Sequence, residues 1–153
     1  MKIKYEIGDL LSCPQRVIAH GCNAQGVQGK GVAKQVKEKW PNVYEIYNLR
    51  FRTFGLALGE IIPVQTPDGK LILNCITQNL FRKTGDNNLV FVDYVAIRKV
   101  FELINDKVFD WDATEVAMPR IGAGLGGGDW NIISNIIEET SINYQPIVWD
   151  FEP

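Results

Sequence analysis

The chain has 153 residues, of which 46% are hydrophobic and 22% charged, and its 16 Lys and Arg against 18 Asp and Glu give a formal charge of −2. This length suits one domain able to bury its own core. The charge balance argues against a net basic duplex-binding surface but leaves room for a local basic patch, and no run of 18 apolar residues is present to span a membrane.

Cys13, Cys22 and Cys75 are odd in number and lack metal-ligand spacing, so free thiols and a reducing, cytoplasmic location are expected. Residues 1–10 alternate charged and apolar side chains and carry no signal-peptide core. With no repeat or linker-like stretch, residues 1–153 read as a single domain.

In chain order, the alternation of Ile3, Tyr5 and Ile7 with Lys4 and Glu6 predicts a strand over 3–7. Residues 16–20, ending in the apolar run before His20 and Gly21, predict a strand inside a sheet. Glycines then crowd residues 21–31. Val32, Val36 and Trp40 at four-residue spacing predict a short helix, stopped by Pro41. A second helix is predicted over 43–53, with Trp40, Tyr44, Tyr47 and Phe51 at helical spacing as core residues. Residues 59–64 and 70–77 read as a hairpin turning at Pro67-Asp68-Gly69.

Residues 78–88 are polar and aperiodic, a loop long enough to suspect of function; Lys83 there either reaches inward or stays solvated. Val92, Val95, Ala96, Val100, Leu103 and Ile104 predict the longest helix, over 90–108. A strand over 115–121 precedes a second glycine run at 122–128. A helix follows over 130–140, carrying Ile132, Ile133, Ile136 and Ile137, and a closing strand over 146–151. Alternating strands and helices, with strands apolar on both faces, predict a three-layer α/β/α domain with a mixed, mostly parallel sheet of about six strands.

Nine of the fourteen glycines lie in two loops, each following a strand and preceding a helix. Glycine there lets backbone approach a ligand, and a helix start offers unpaired N–H groups to an anion. Two such loops could hold a diphosphate without excess Lys and Arg; the alternative is tight turns in a compact sheet. Val27 after Gly26 removes the Walker lysine, so this is no P-loop. Gly122, Gly124 and Gly127 satisfy GxGxxG, with Asp150 placed for a ribose, but a dinucleotide fold beginning at 115 would lack most of its sheet.

Gly8-Asp9-Leu10, Gly21-Cys22-Asn23-Ala24-Gln25-Gly26 through Gly29-Lys30-Gly31-Val32-Ala33, and Met118-Pro119-Arg120-Ile121-Gly122-Ala123-Gly124-Leu125 together resemble a macrodomain, the ADP-ribose-binding α/β/α module, over nearly the whole chain. The sequence is most similar to the branch of ADP-ribose-1''-phosphate phosphatases and terminal ADP-ribose protein glycohydrolases, and also to antitoxin macrodomains that remove ADP-ribose from DNA. The resemblance implies that Asp9, with Gly8 and Leu10 beside it, accepts from the adenine amine; otherwise Asp9 is a cap or turn residue. It implies that Asn23, with Gly21 and Gly29 nearby, bonds the distal ribose; otherwise Asn23 serves a turn. Gly31, Val32 and Ala33 would meet the diphosphate on one side. Ile121, Gly122, Ala123, Gly124, Leu125 and Gly126 would meet it on the other. Phe151 either stacks on adenine or covers an edge.

For chemistry, His20 matches the phosphatase-branch histidine and is a candidate acid or base; the alternative is a hydrogen-bonded histidine in a buried strand. Cys22 shares its strand face without any sign of an activated thiol. Asp129 is a candidate base or a helix cap. The glycohydrolase lysine position is Gln78 here and their aspartate position is Gly126, so covalent lysine catalysis is not expected. Arg120 reads as a structural bridge to carboxylates near the cleft; the alternative is a phosphate ligand. The expected function is binding of ADP-ribose and hydrolysis of ADP-ribose-1''-phosphate to ADP-ribose and phosphate, with His20, Asn23 and Asp129 assisting. The alternatives are a non-catalytic ADP-ribose reader and a hydrolase that frees ADP-ribose from modified protein or nucleic acid. No cofactor, metal or membrane partner is expected, and the chain is expected to be a monomer.

Overall fold

The computed structural model describes residues 1–81, 83, 85 and 89–151; the predicted loop over 78–88 therefore lies partly outside the described residues, at 82, 84 and 86–88. Six strands, β1 (Lys4–Ile7), β2 (Val17–Asn23), β3 (Ile61–Gln65), β4 (Leu71–Gln78), β5 (Glu115–Met118) and β6 (Gln145–Asp150), form one sheet in the order β1-β6-β5-β2-β4-β3. Every neighbouring pair is parallel except β3–β4. The helices are α1 (Gly31–Lys39), α2 (Pro41–Phe54), α3 (Tyr94–Lys107) and α4 (Trp130–Thr140).

Side-chain alternation along β2 and β4 explains the layers. Ile18 and Cys22 of β2, with Ile72 and Ile76 of β4, pack against Val36, Trp40, Val43 and Tyr47 of the α1–α2 region. Val17, Ala19, Leu73 and Cys75 point the other way, against Ile97, Val100, Phe101, Ile104, Ile133 and Ile137 of α3 and α4. Each fully buried Ile, Val or Phe removes enough apolar surface to contribute about 1.5–3 kcal/mol. The three layers are as the patterning predicts. Trp40 and Tyr47 are core, whereas Tyr44 and Phe51 are half-buried.

Several boundaries move, two of them for a clear local reason. The predicted start of α3 at 90 is four residues early, because Asp93 caps the helix by accepting from Ala96 N and Val92 makes a β-bridge to Gln78. Val95, expected on the apolar face, is exposed; the buried face is Ala96, Ile97, Val100, Phe101 and Ile104. The strand predicted over 115–121 ends at Met118, and 119–121 turn into the glycine run. All four residues of β1, one of the two edge strands, are exposed. A single 3-10 turn at Leu10–Ser12 is capped by Asp9, the cap or turn role that is its alternative in the sequence. No helix among the described residues is long and apolar enough to cross a membrane.

Candidate functional site

The carboxyl ends of β1, β6, β5, β2 and β4 open into a cleft of about 500 Å³. This is where an open parallel sheet places its ligand crevice. The sheet order assigns the cleft its ends. Gly8, Asp9 and Leu10 follow β1, and Trp149, Asp150 and Phe151 end β6, so these six line one end. Gly21 of β2 forms the floor beside Thr77 of β4; a Cβ added to Gly21 would lie 3.0 Å from Thr77 Oγ1 and 3.3 Å from Ile121 Cγ2. Beyond β2 the cleft continues into a smaller cavity of about 170 Å³, which shares Gly21, Lys30, Ala33, Gln78 and Leu125 with it.

The two glycine loops form the walls. Gly31, Val32 and Ala33 stand on one side and Gly122, Ala123, Gly124, Leu125 and Gly126 on the other. They face each other closely: a Cβ on Gly31, whose φ is +60°, would come within 3.0 Å of Leu125 Cδ1. Lys30 precedes α1 without a side-chain cap on the first-turn N–H groups, which leaves the helix start turned to the cleft. Each loop is braced from behind. Tyr47 of α2 donates its hydroxyl to the Asn23 carbonyl (2.6 Å), and Asn48 Nδ2 donates to the Gly26 carbonyl (3.1 Å). On the other side the Gly126 carbonyl accepts from Phe91 N (2.8 Å) and Val92 N (3.1 Å). Gly128 N donates to the Gly122 carbonyl at 2.8 Å, closing the loop on itself.

Residues 19–137 match the Macro domain family. The chain is a macrodomain. It is 31% identical over 139 residues to an ADP-ribose glycohydrolase of Bos taurus, OARD1, covering 90% of this chain and 83% of the relative. It is also 31% identical over 131 residues to a DNA ADP-ribosyl glycohydrolase of Mycobacterium tuberculosis; that match covers 84% of this chain and spans 35% of the relative's length. An ADP-ribose 1''-phosphate phosphatase of Scheffersomyces stipitis is 24% identical over 176 residues, covering 95% of this chain and 99% of the relative. Among solved structures, a Bacteroides thetaiotaomicron protein of unknown function superposes with a TM-score of 0.86 at 29% identity, over 98% of each chain.

In this macrodomain the expected ligand-binding residues gather at the cleft, with Asn23 and Gly29 in the smaller cavity. Their side chains already have local duties. Asp9 accepts from Leu11 N at 3.0 Å and Ser12 Oγ at 2.9 Å, as a cap does. Asn23 Oδ1 accepts from Gln25 N (3.0 Å) and Tyr47 Oη (3.0 Å) while its Nδ2 donates to the Val27 carbonyl (2.7 Å), so Asn23 ties the loop together. Phe151 is 80% exposed at the cleft mouth. Arg120 makes a two-pronged pair with Asp150, at 2.9 and 3.0 Å, which is the structural bridge expected of it. The dinucleotide-type ribose role has no support, because the glycine loop after β5 belongs to a six-stranded sheet in the order β1-β6-β5-β2-β4-β3 and not to a fold beginning at 115.

Two expected catalytic side chains do not reach the cleft. His20 is 0% exposed on the α1–α2 side of β2, its Nε2 2.7 Å from Asn74 Oδ1, and burial lowers its pKa to about 4. The imidazole is buried, neutral and outside the lining of both cavities, so it does not meet a ligand there as an acid or base. Asp129 is exposed, but it caps α4, accepting from Asn131 N at 2.9 Å, and does not line the cleft. Burial also raises the Cys22 thiol to about 12, so no activated thiol stands beside His20.

Two contributors escaped the sequence reading. Thr77 Oγ1 and Gln28 Oε1 are buried with no hydrogen-bond partner, and these residues line the cleft and the smaller cavity respectively. Thr77 carried a signal, because it ends an apolar strand next to Gln78. Gln28, inside a glycine-rich stretch, carried none.

Proposed function

We propose that the cleft binds ADP-ribose and that the protein hydrolyses the substituent on the distal ribose, releasing phosphate from ADP-ribose-1''-phosphate. The observation that supports this best is the pair of glycine loops facing each other over the strand ends, with the uncapped start of α1 on one side. Main-chain N–H groups and the helix dipole attract a diphosphate where the protein carries no excess of basic residues. Adenosine then lies toward Asp9 and Phe151, and the distal ribose enters the smaller cavity beside Asn23. The Asp9 carboxylate keeps acceptor capacity beyond its two local bonds for the adenine amine.

Among the described residues the lining of the smaller cavity includes amides, main-chain groups, the protonated Cys22 thiol and Lys30, but no carboxylate or imidazole. The water that attacks phosphorus therefore passes its proton to a phosphate oxygen of the substrate. The bond from phosphorus to the 1'' oxygen breaks, that proton passes from the phosphate to the departing oxygen, and the products are the ADP-ribose hydroxyl and hydrogen phosphate. Catalysis in this reading rests on orientation and on donors set around the developing charge.

Release of ADP-ribose from DNA or protein is the second reading, favoured by the 31% identity to two proteins named as glycohydrolases. Incubation with ADP-ribose-1''-phosphate while following free phosphate, beside incubation with ADP-ribosylated DNA and ADP-ribosylated protein while following free ADP-ribose, separates them. Phosphate release supports the first reading and ADP-ribose release the second. Tight ADP-ribose binding with neither product would make the protein a reader and end the hydrolase reading.

A further inference from the structure

The single histidine of the chain is buried, and its hydrogen bonds lead out to the smaller cavity. His20 and Asn74 are direct neighbours in the parallel register of β2 and β4. Asn74 Nδ2 donates to the Ile62 carbonyl at 3.0 Å. A main-chain carbonyl can only accept, so this bond fixes which end of the Asn74 amide is which. Asn74 Oδ1 consequently faces β2, where it meets His20 Nε2 at 2.7 Å and Gln28 Nε2 at 3.1 Å. An amide oxygen carries no proton. Both partners must donate, and His20 is the Nε2–H tautomer.

Gln28 Nε2 has a second partner in Cys22 Sγ at 3.6 Å, so both its hydrogens are directed inward. Turning the amide over would set Gln28 Oε1 against Asn74 Oδ1, acceptor against acceptor. Its other end, Oε1, is left buried and without a donor on a residue that is 1% exposed and lines the smaller cavity. A buried acceptor without a donor is costly, and a ligand hydroxyl would satisfy it.

We propose that Gln28 Oε1 accepts a hydrogen bond from a hydroxyl of the pentose at the distal end of the ligand, with Asn74 and His20 as positioning residues that aim it. This rests on the reading of the cleft as an ADP-ribose site. Being an acceptor held in one orientation, Gln28 selects a sugar with a free hydroxyl at that position over one blocked there.

Calorimetric titration of the wild type, Gln28→Met and Gln28→Leu with ADP-ribose and with ADP, which lacks the distal ribose, tests it. The variants should lose about tenfold in ADP-ribose affinity and leave ADP affinity unchanged. Equal loss for both ligands would mean a collapsed pocket, and no loss would mean an idle amide; either overturns the inference alone. A wild type that binds no ADP-ribose overturns the reading of the cleft and the inference with it. An arm on the unmodified protein covers variants that fail to fold. In ADP-ribose analogues each distal hydroxyl in turn is replaced by fluorine, which cannot donate, and at least one should lose about tenfold. Equal affinity across the set overturns the proposal.

Discussion

At full burial the His20 imidazole is held neutral, its pKa lowered to about 4 because the site cannot solvate an imidazolium. The unfolded chain takes up that proton near the ordinary value of 6.5, so as pH falls the unfolded state is favoured first. This contribution to stability is complete above pH 6.5, drains away between 6.5 and about 4, and is constant below; its size is about 3 kcal/mol. Urea unfolding from pH 7 to 4 should show the wild type losing that much more than His20→Gln, which has no proton to gain. Parallel profiles for the two would mean that His20 is solvated. Asp129 makes the complementary case. Asp129→Ala should lower stability by about 1 kcal/mol through the lost cap while ADP-ribose affinity stays unchanged. A tenfold loss of affinity in that variant would return Asp129 to the site.

At the scale of elements, the second glycine loop is closed by its own backbone. Gly122 has φ +80°, and a Cβ on Gly126 would lie 2.7 Å from the Gly122 carbonyl oxygen, an atom already bonded to Gly128 N. Gly126→Ala therefore forces the loop open and should lower ADP-ribose affinity by tenfold or more, read by calorimetry, while circular dichroism shows the sheet and helices intact. Unaltered affinity would mean that this loop does not hold the ligand. The elements also show what was legible in the sequence. Helix α4 could be read because Asp129 caps it and its isoleucines recur at helical spacing. The start of α3 misled because Val92 fits the same apolar period as Ala96 and Val100, yet Val92 bridges to β4 and lies against Gly122 and Gly128. Periodicity does not reveal which partner an apolar residue meets. The exposed edge position of β1 was hidden for the same reason, since alternation does not say where in a sheet a strand lies. Most cleft residues were legible, because glycines and their neighbours flank strand ends. Gln28 was not, because its role comes from contacts to Asn74, 46 residues away along the chain.

Across the whole molecule, five strand ends and two helix-leading loops converge on one edge of the sheet, and the two apolar layers beneath hold that edge in place. Ligand and fold are coupled through it: ADP-ribose at one hundred times its dissociation constant should add about 2.7 kcal/mol to stability. The measurement that bears most directly on the account follows backbone amide shifts by nuclear magnetic resonance during ADP-ribose titration. The largest shifts should fall on Gly31, Val32 and Ala33 together with Gly122 through Gly126, in one saturable event. Maximal shifts on other faces of the molecule, with both loops unmoved, would contradict it.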